Sequence, residues 1–123
     1  MFDRLAAHAN TDASLIRRGK RLNLDFLVGA DDQDFIISIR SGRVQEVKPR
    51  SVAIESGQFA IRARSDVWRE HWQPMPKRDH HDLFSMMAAG LASIDGDITP
   101  FMQNLLYFKA LLAAPRGTNT EAA

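Results

Sequence analysis

Apolar residues recur at every second position in several stretches between residues 22 and 64, and at every third or fourth position on either side of that region. In Leu22-Asn-Leu-Asp-Phe26 the alternation suits a half-buried strand, because successive strand side chains point to opposite faces. Phe35, Ile37 and Ile39 share one face of a second predicted strand, with Ile36, Ser38 and Arg40 opposite. The acidic stretch 31–34 reads as the turn before it. Ser41-Gly42 joins it to a third strand over 43–47. Pro49 lacks a backbone N–H and argues against a central strand continuing there. Residues 52–55 and 59–64 read as a further hairpin turned through Ser56-Gly57, with Phe59, Ile61 and Ala63 inward and Arg62 and Arg64 outward.

Helical spacing governs the rest. Leu5, His8 or Ala9, and Leu15 with Ile16 fit weak helix over residues 2–18, interrupted by Asn10-Thr-Asp12, where Thr11 or Asp12 caps a second short helix. Ser65 or Asp66 is expected to cap a helix carrying Val67, Trp68, His71 and Trp72, which Pro74-Met-Pro76 ends. Asp79 or His80 then opens another, with Leu83, Phe84, Met86, Met87 and Leu91 apolar and Gly90 at its close. A short apolar piece at Ile94 precedes Gly96, placed between two aspartates where a tight turn is easiest. A final helix is predicted over 99–113, capped by Asp97 or Thr99, with Pro100 at its first position. Phe101, Leu105, Phe108 and Leu112 form its stripe, and Met102 and Leu106 widen it. Strands cluster instead of alternating with helices, so the class is α+β.

With 123 residues, the chain is long enough for one domain with a real core. A net charge of +1 gives no global field toward nucleic acid or membrane. The absence of cysteine removes disulfides, thiolate metal sites and cysteine nucleophiles. No apolar run approaches a membrane span, and Met-Phe-Asp-Arg does not open a signal peptide, so a cytoplasmic protein without integral membrane contact is the simplest expectation. There is no glycine-rich phosphate loop and no Gly-x-Ser-x-Gly elbow.

The closing order of Gly90, Ile94, Gly96-Asp97 and an apolar helix resembles the sterol-carrier-protein-2 (SCP2-like) lipid-binding family. The upstream order of strands and two helical segments agrees over roughly residues 22–114. The resemblance departs at residues 68–79, which are longer and more aromatic than the pattern suggests, and at a short N-terminal region. It implies a mainly antiparallel sheet of about five strands covered by helices around an apolar cavity. Residues 1–21 would be a helical segment packed on the domain, 22–114 the lipid-binding domain and 115–123 a flexible tail. It further implies that Phe59, Ile61, Trp72, Phe84, Met87, Leu91, Ile94, Phe101, Met102, Leu105 and Phe108 line a hydrophobic tunnel for a sterol, a fatty acid or an acyl-CoA. No cofactor, metal or catalytic residue is part of that reading.

Each feature also has a plainer reading. The apolar residues of the last two helices are ordinary core by pattern alone, although methionine suits a surface that re-packs around varied ligands. Trp68 and Trp72, four apart, form a lip over a cavity or simply pack on the sheet. Asp79-His80-His81-Asp82 contains ligand-type residues, but adjacent helical histidines diverge by ~100° and His-x-x-x-His spacing is absent, so capping and solvated polarity are expected there. Asp97 reads as a cap and Tyr107 as a partly exposed residue at the core edge. Arg17, Arg18, Lys20 and Arg21 could face a phosphate, an acyl-CoA or an anionic membrane; a solvated cluster is the default, and nucleic acid is disfavoured because no aromatic residues interleave with the run. Two alternatives to a lipid binder stand. One is a small isomerase, cyclase or dehydratase acting on an apolar substrate, with Asp97, Tyr107, His71 and His81 as candidates. The other is a docking or homodimerisation module.

Overall fold

The computed structural model describes residues 2–50 and 57–116. Helices α1 (Asp3–Ala9) and α2 (Ala13–Arg18) precede strands β1 (Asn23–Ala30), β2 (Gln33–Arg40), β3 (Arg43–Pro49) and β4 (Phe59–Ala63). Helices α3 (Ser65–His71) and α4 (Leu83–Ala88), strand β5 (Ala92–Gly96) and helices α5 (Thr99–Gln103) and α6 (Leu105–Leu112) follow.

The five strands form one sheet in the order β3-β2-β1-β4-β5. β1–β2 and β2–β3 pair antiparallel, as the turn residues predict; β4–β5 also pair antiparallel, but β1 and β4 pair parallel, so the sheet is mixed. The predicted hairpin of residues 52–55 with 59–64 is replaced in part: β4 has β1 on one edge and β5 on the other, leaving no edge for a third partner. Residues 52–55 themselves lie outside the described residues. Neighbours in sequence are the default guess for neighbours in a sheet, and β4 departs from it.

Alternation sets the faces. Leu24, Phe26, Val28 and Ala30 of β1 enter the core with Ile37, Ile39, Phe59 and Ile61. Leu27 and Ile36, directly opposite each other in the β1–β2 register, are also buried but point the other way. Ile36 therefore shares its face with Ser38 and Arg40, as expected, but is buried there beside Leu27. On the core side, α1 and α2 contribute Phe2, Leu5, Ala9 and Leu15. The Asn10 side chain, between those helices, donates to Val44 O at 2.9 Å and accepts from Val44 N at 2.8 Å. It acts like a strand partner beside the β3 bulge, where the register steps from Ser38↔Glu46 to Ile39↔Val44.

Local chemistry sets the helix ends. Asp12 and Asp82 cap α2 and α4 through Leu15 N (3.1 Å) and Ser85 N (2.8 Å). Thus α4 begins at Leu83, three to four residues later than the start expected at Asp79 or His80; Asp79 itself is in the left-handed region at φ 69°. Ser65 and Asp66 do not cap α3, whose N-cap is Arg64. The Ser65 hydroxyl (2.6 Å) and N–H (2.9 Å) donate instead to Asp31 in the β1–β2 turn, and hold that carboxyl below its usual range. Gly96 adopts φ 96° with its backbone against Phe59, and Asp97 N then donates to Gln58 O at 2.8 Å.

Candidate ligand-binding site

The predicted final helix is two helices. Asn104, at φ −132° and ψ 39°, breaks it, and the Asn104 side-chain amide donates back to Pro100 O at 2.9 Å. Asparagine readily bonds nearby backbone in this way and so interrupts helices. The break leaves Phe101 on α5 and Phe108 on α6 both turned into the core.

There they meet the sheet. Phe26 and Phe59 stack at 5.2 Å between ring centroids; Phe108 packs edge-on to both, at 5.3 and 5.2 Å. Phe101 lies 5.6 Å from Phe59 and 5.7 Å from Phe108, with Phe84 of α4 edge-on to it at 6.3 Å. Four of the predicted tunnel residues, Phe59, Phe84, Phe101 and Phe108, thus form one cluster with Phe26, and Ile61 is buried in the same core. Such aromatic contacts add about 0.5–1.5 kcal/mol per pair beyond burial.

Trp72, Met87, Leu91, Ile94 and Leu105 are half-buried against this core, and Met102 is 55% exposed. The expected internal cavity is not formed: the rings occupy the space between sheet and helices, and no enclosed apolar cavity occurs among the described residues. What the closing helices offer instead is an open cleft of about 610 Å³ at the α5–α6 break, lined by residues 102–107 together with Arg18. Leu106 is 62% exposed. An open cleft of similar size, about 660 Å³, lies elsewhere between Asn23 and Gln58 and is polar, with Arg40 paired to Asp25 in it at 3.1 Å.

Trp68 and Trp72 pack as structural residues. Their rings stack at 5.9 Å; Trp68 Nε1–H donates to Gly29 O at 2.9 Å, and Trp72 Nε1–H to Leu112 O at 2.7 Å. Tyr107 is buried, not partly exposed. Its hydroxyl donates to Gly42 O at 2.9 Å, and burial pushes its pKa up to about 12.

Of the residues weighed for acid–base chemistry, Asp97, Tyr107 and His71 bond backbone through their side chains. Asp97 is exposed and accepts from Thr99 N at 3.2 Å. His71 is fully buried, with Nδ1 2.9 Å from His80 O. Nδ1 thus stands between an acceptor, His80 O, and a donor, Arg116 Nη2 at 3.1 Å, while Nε2 is buried with no hydrogen-bond partner. Burial depresses the His71 pKa to about 4; the Arg116 charge adds to the shift, while the hydrogen bond to His80 opposes it. His81 is exposed and gives Arg116 its carbonyl oxygen. No group of three or more His, Asp or Glu among the described residues is placed to hold a metal ion; within the 79–82 motif, Asp82 caps α4 and His80 Nδ1 lies 2.9 Å from Arg78 O.

No family model matches the chain, and no curated protein matches it in sequence. Solved structures do. The crystal structure of sterol carrier protein 2 superposes with a TM-score of 0.71 at 13% identity, over 91% of this chain and 90% of that one. The chain adopts the SCP2-like fold. A ubiquinone synthesis protein described as UbiJ-SCP2 has the same fold at TM-score 0.58 and 17% identity, over 89% of this chain and 83% of its own. So does the Thermus thermophilus protein TT1886, described as possibly a sterol carrier protein, at TM-score 0.58 and 13% identity, over 89% and 81%.

Within this SCP2-like fold, the closing strand and paired helices occupy the positions that Gly90, Ile94, Gly96-Asp97 and the apolar stripe indicate. Sequence reasoning missed the break at Asn104, and with it the cleft; an asparagine followed by Leu-Leu inside a predicted helix was the available signal. It also missed Phe26 as a member of the cluster, although the alternation had marked it as inward.

Proposed function

We propose that the protein binds an apolar, lipid-like ligand non-covalently, from the class of sterols, fatty acids or acyl-CoA esters. The observation that carries this reading is the SCP2-like fold with its phenylalanine cluster beneath an apolar cleft at the α5–α6 break. Met102 and Leu105 form the mouth. Phe59, Ile61, Phe101 and Phe108 form the floor, which opens when α5 swings on Asn104; Phe84, Met87, Leu91, Ile94 and Trp72 flank it. Sequestration supplies the affinity: burying ~300 Å² of ligand surface at roughly 25 cal/mol per Å² gives about 7 kcal/mol before association costs. No covalent step is needed.

Displacement of a fluorescent fatty-acid probe from the delipidated protein tests this, with a long-chain fatty acid, its CoA ester and a sterol as competitors. Saturable binding reversed by one class supports the reading and selects the class. A folded, delipidated protein that binds no probe and none of the competitors would refute it.

A further inference from the structure

The two edges of the sheet differ. On β3, Lys48 and Pro49 sit in the strand, a bulge breaks the register, and the Asn10 side chain takes up both Val44 N and Val44 O. Each of these is a device that keeps another strand from adding to an edge. β5, at the opposite edge, has none of them. Ala92-Ser-Ile-Asp-Gly96 holds no proline and no basic residue, and it keeps an unbroken register with β4. Among the described residues no strand pairs with its outer side.

Backbone direction decides which groups stand free there. Asp97 N donates to Gln58 O, and the antiparallel register then turns the backbone of Asp95 and Ser93 toward β4. The N–H and C=O groups of Ala92 and Ile94 therefore point outward. The side chains of Ser93 and Asp95 are exposed on the face away from the core, where Arg62 lies 3.5 Å from Asp95. Ile94 is half-buried on the core face, opposite Ile61.

We infer that β5 adds to β5 of a second copy of this chain, antiparallel about a two-fold axis at Ile94, so that the two sheets join edge to edge. In this register the strand is complementary to itself. Ile94 meets Ile94, the small Ala92 meets Gly96, and the Ser93 hydroxyl meets the Asp95 carboxylate once on each side of the axis. Moving the axis to Asp95 sets like charges face to face. Moving it to Ser93 leaves both Asp95 carboxylates opposite Leu91. The register at Ile94 also brings Ile98, 41% exposed just past β5, opposite Gly90. There is room for it: nothing lies within 4 Å of where a Cβ on Gly90 would stand, and an open hollow of about 260 Å³ runs along Gly90, Leu91 and Ser93. A peptide of other sequence would find the same free backbone but not these matches. A pair of five-residue strands is a small interface, so association is weak and follows concentration.

Light scattering of the full chain over a concentration series tests this. The expected result is a mass that rises from one chain toward two. Ser93→Asp sets like charges opposite each other in both pairs and weakens association about tenfold, whereas Ser93→Lys sets opposite charges there and tightens it about threefold. Position 93 is exposed, and thermal unfolding of each variant checks that the fold is kept. The native chain has no cysteine, so a disulfide reports the register. Ser93→Cys mixed with Asp95→Cys should cross-link on oxidation, because the two positions form a non-hydrogen-bonded pair with close Cα atoms, and neither variant should cross-link alone. A protein that stays monomeric at every concentration overturns the inference. So does a dimer that Ser93→Asp and Ser93→Lys weaken alike, or cross-linking by Ser93→Cys alone. A dimer lost in Leu106→Gln and unchanged in Ser93→Asp also overturns it, by moving the contact to the α5–α6 cleft.

Discussion

The Tyr107 ring lies so close over Gly19 that a Cβ at that glycine would stand 2.4 Å from Tyr107 Cε1. From there the Tyr107 hydroxyl reaches Gly42 O at 2.9 Å. One side chain on α6 therefore joins the end of α2 to the β2–β3 turn. Gly19→Ala should destabilise by about 1–3 kcal/mol, because the ring has no room to retreat in a packed core. Tyr107→Phe should cost about 1–3 kcal/mol by leaving the Gly42 carbonyl buried and unpaired. Urea denaturation measures both, and a neutral Gly19→Ala would contradict the packing described.

A pH dependence follows from His71. Its folded pKa, about 4, lies below the ordinary histidine value of 6.5. The unfolded chain therefore takes up a proton between those values that the folded chain refuses. Stability contributed by neutral His71 is complete above about pH 6.5 and is lost as pH falls toward about 4, with a slope approaching about 1.4 kcal/mol per pH unit. Denaturation midpoints from pH 7.5 to 4.5 should fall more steeply for the native sequence than for His71→Gln. Parallel profiles would mean that water reaches the imidazole.

These two residues show what the sequence could and could not disclose. Tyr107 flanks the apolar stripe of the predicted final helix, so periodicity left it at the core edge where it is in fact buried; its partner is 65 positions away, and no local pattern names Gly42. The same holds for Trp68 and Trp72. Their spacing put them on one face, while their N–H groups find Gly29 and Leu112, 39 and 40 positions distant. Strand alternation, turn chemistry and the Gly96-Asp97 step are local and were legible. The parallel β1–β4 pairing depends on how the chain crosses the sheet, which period-two patterning does not encode. For the site, the apolar residues of the closing segment were legible as a set, but their division into buried rings and an exposed rim turns on one residue, Asn104, whose side chain prefers a backbone carbonyl to a helix.

Arg116 should control the 72–82 segment. Its Nε and Nη2 donate to His71 O at 2.9 and 2.8 Å, and Nη2 also donates to His81 O at 2.6 Å. The guanidinium thus ties both ends of the loop to the chain end beyond α6. Arg116→Met keeps the aliphatic stem and removes these donors. Amide exchange in residues 72–82 should quicken at least tenfold, since three hydrogen bonds from a charged group are together worth more than about 1.4 kcal/mol. Unchanged exchange there would show that Asp82, capping α4, and the Trp72 bond to Leu112 hold the loop without it.

Phe101 and Met102 are adjacent yet should respond in opposite ways. Phe101 touches Phe59, Phe84 and Phe108 and is buried, whereas Met102 is 55% exposed at the cleft mouth. Phe101→Ala should therefore cost about 3–5 kcal/mol of stability through the cavity it leaves. Met102→Gln should stay within about 0.5 kcal/mol, as surface substitutions usually do. If the α5–α6 cleft is the mouth of a lipid site, the ranking reverses for ligand: Met102→Gln weakens the fatty-acid probe while stability stays constant. Thermal unfolding and probe titration on the same samples separate the two effects. A Met102→Gln protein that binds the probe as tightly as the native sequence would place the mouth elsewhere on the fold.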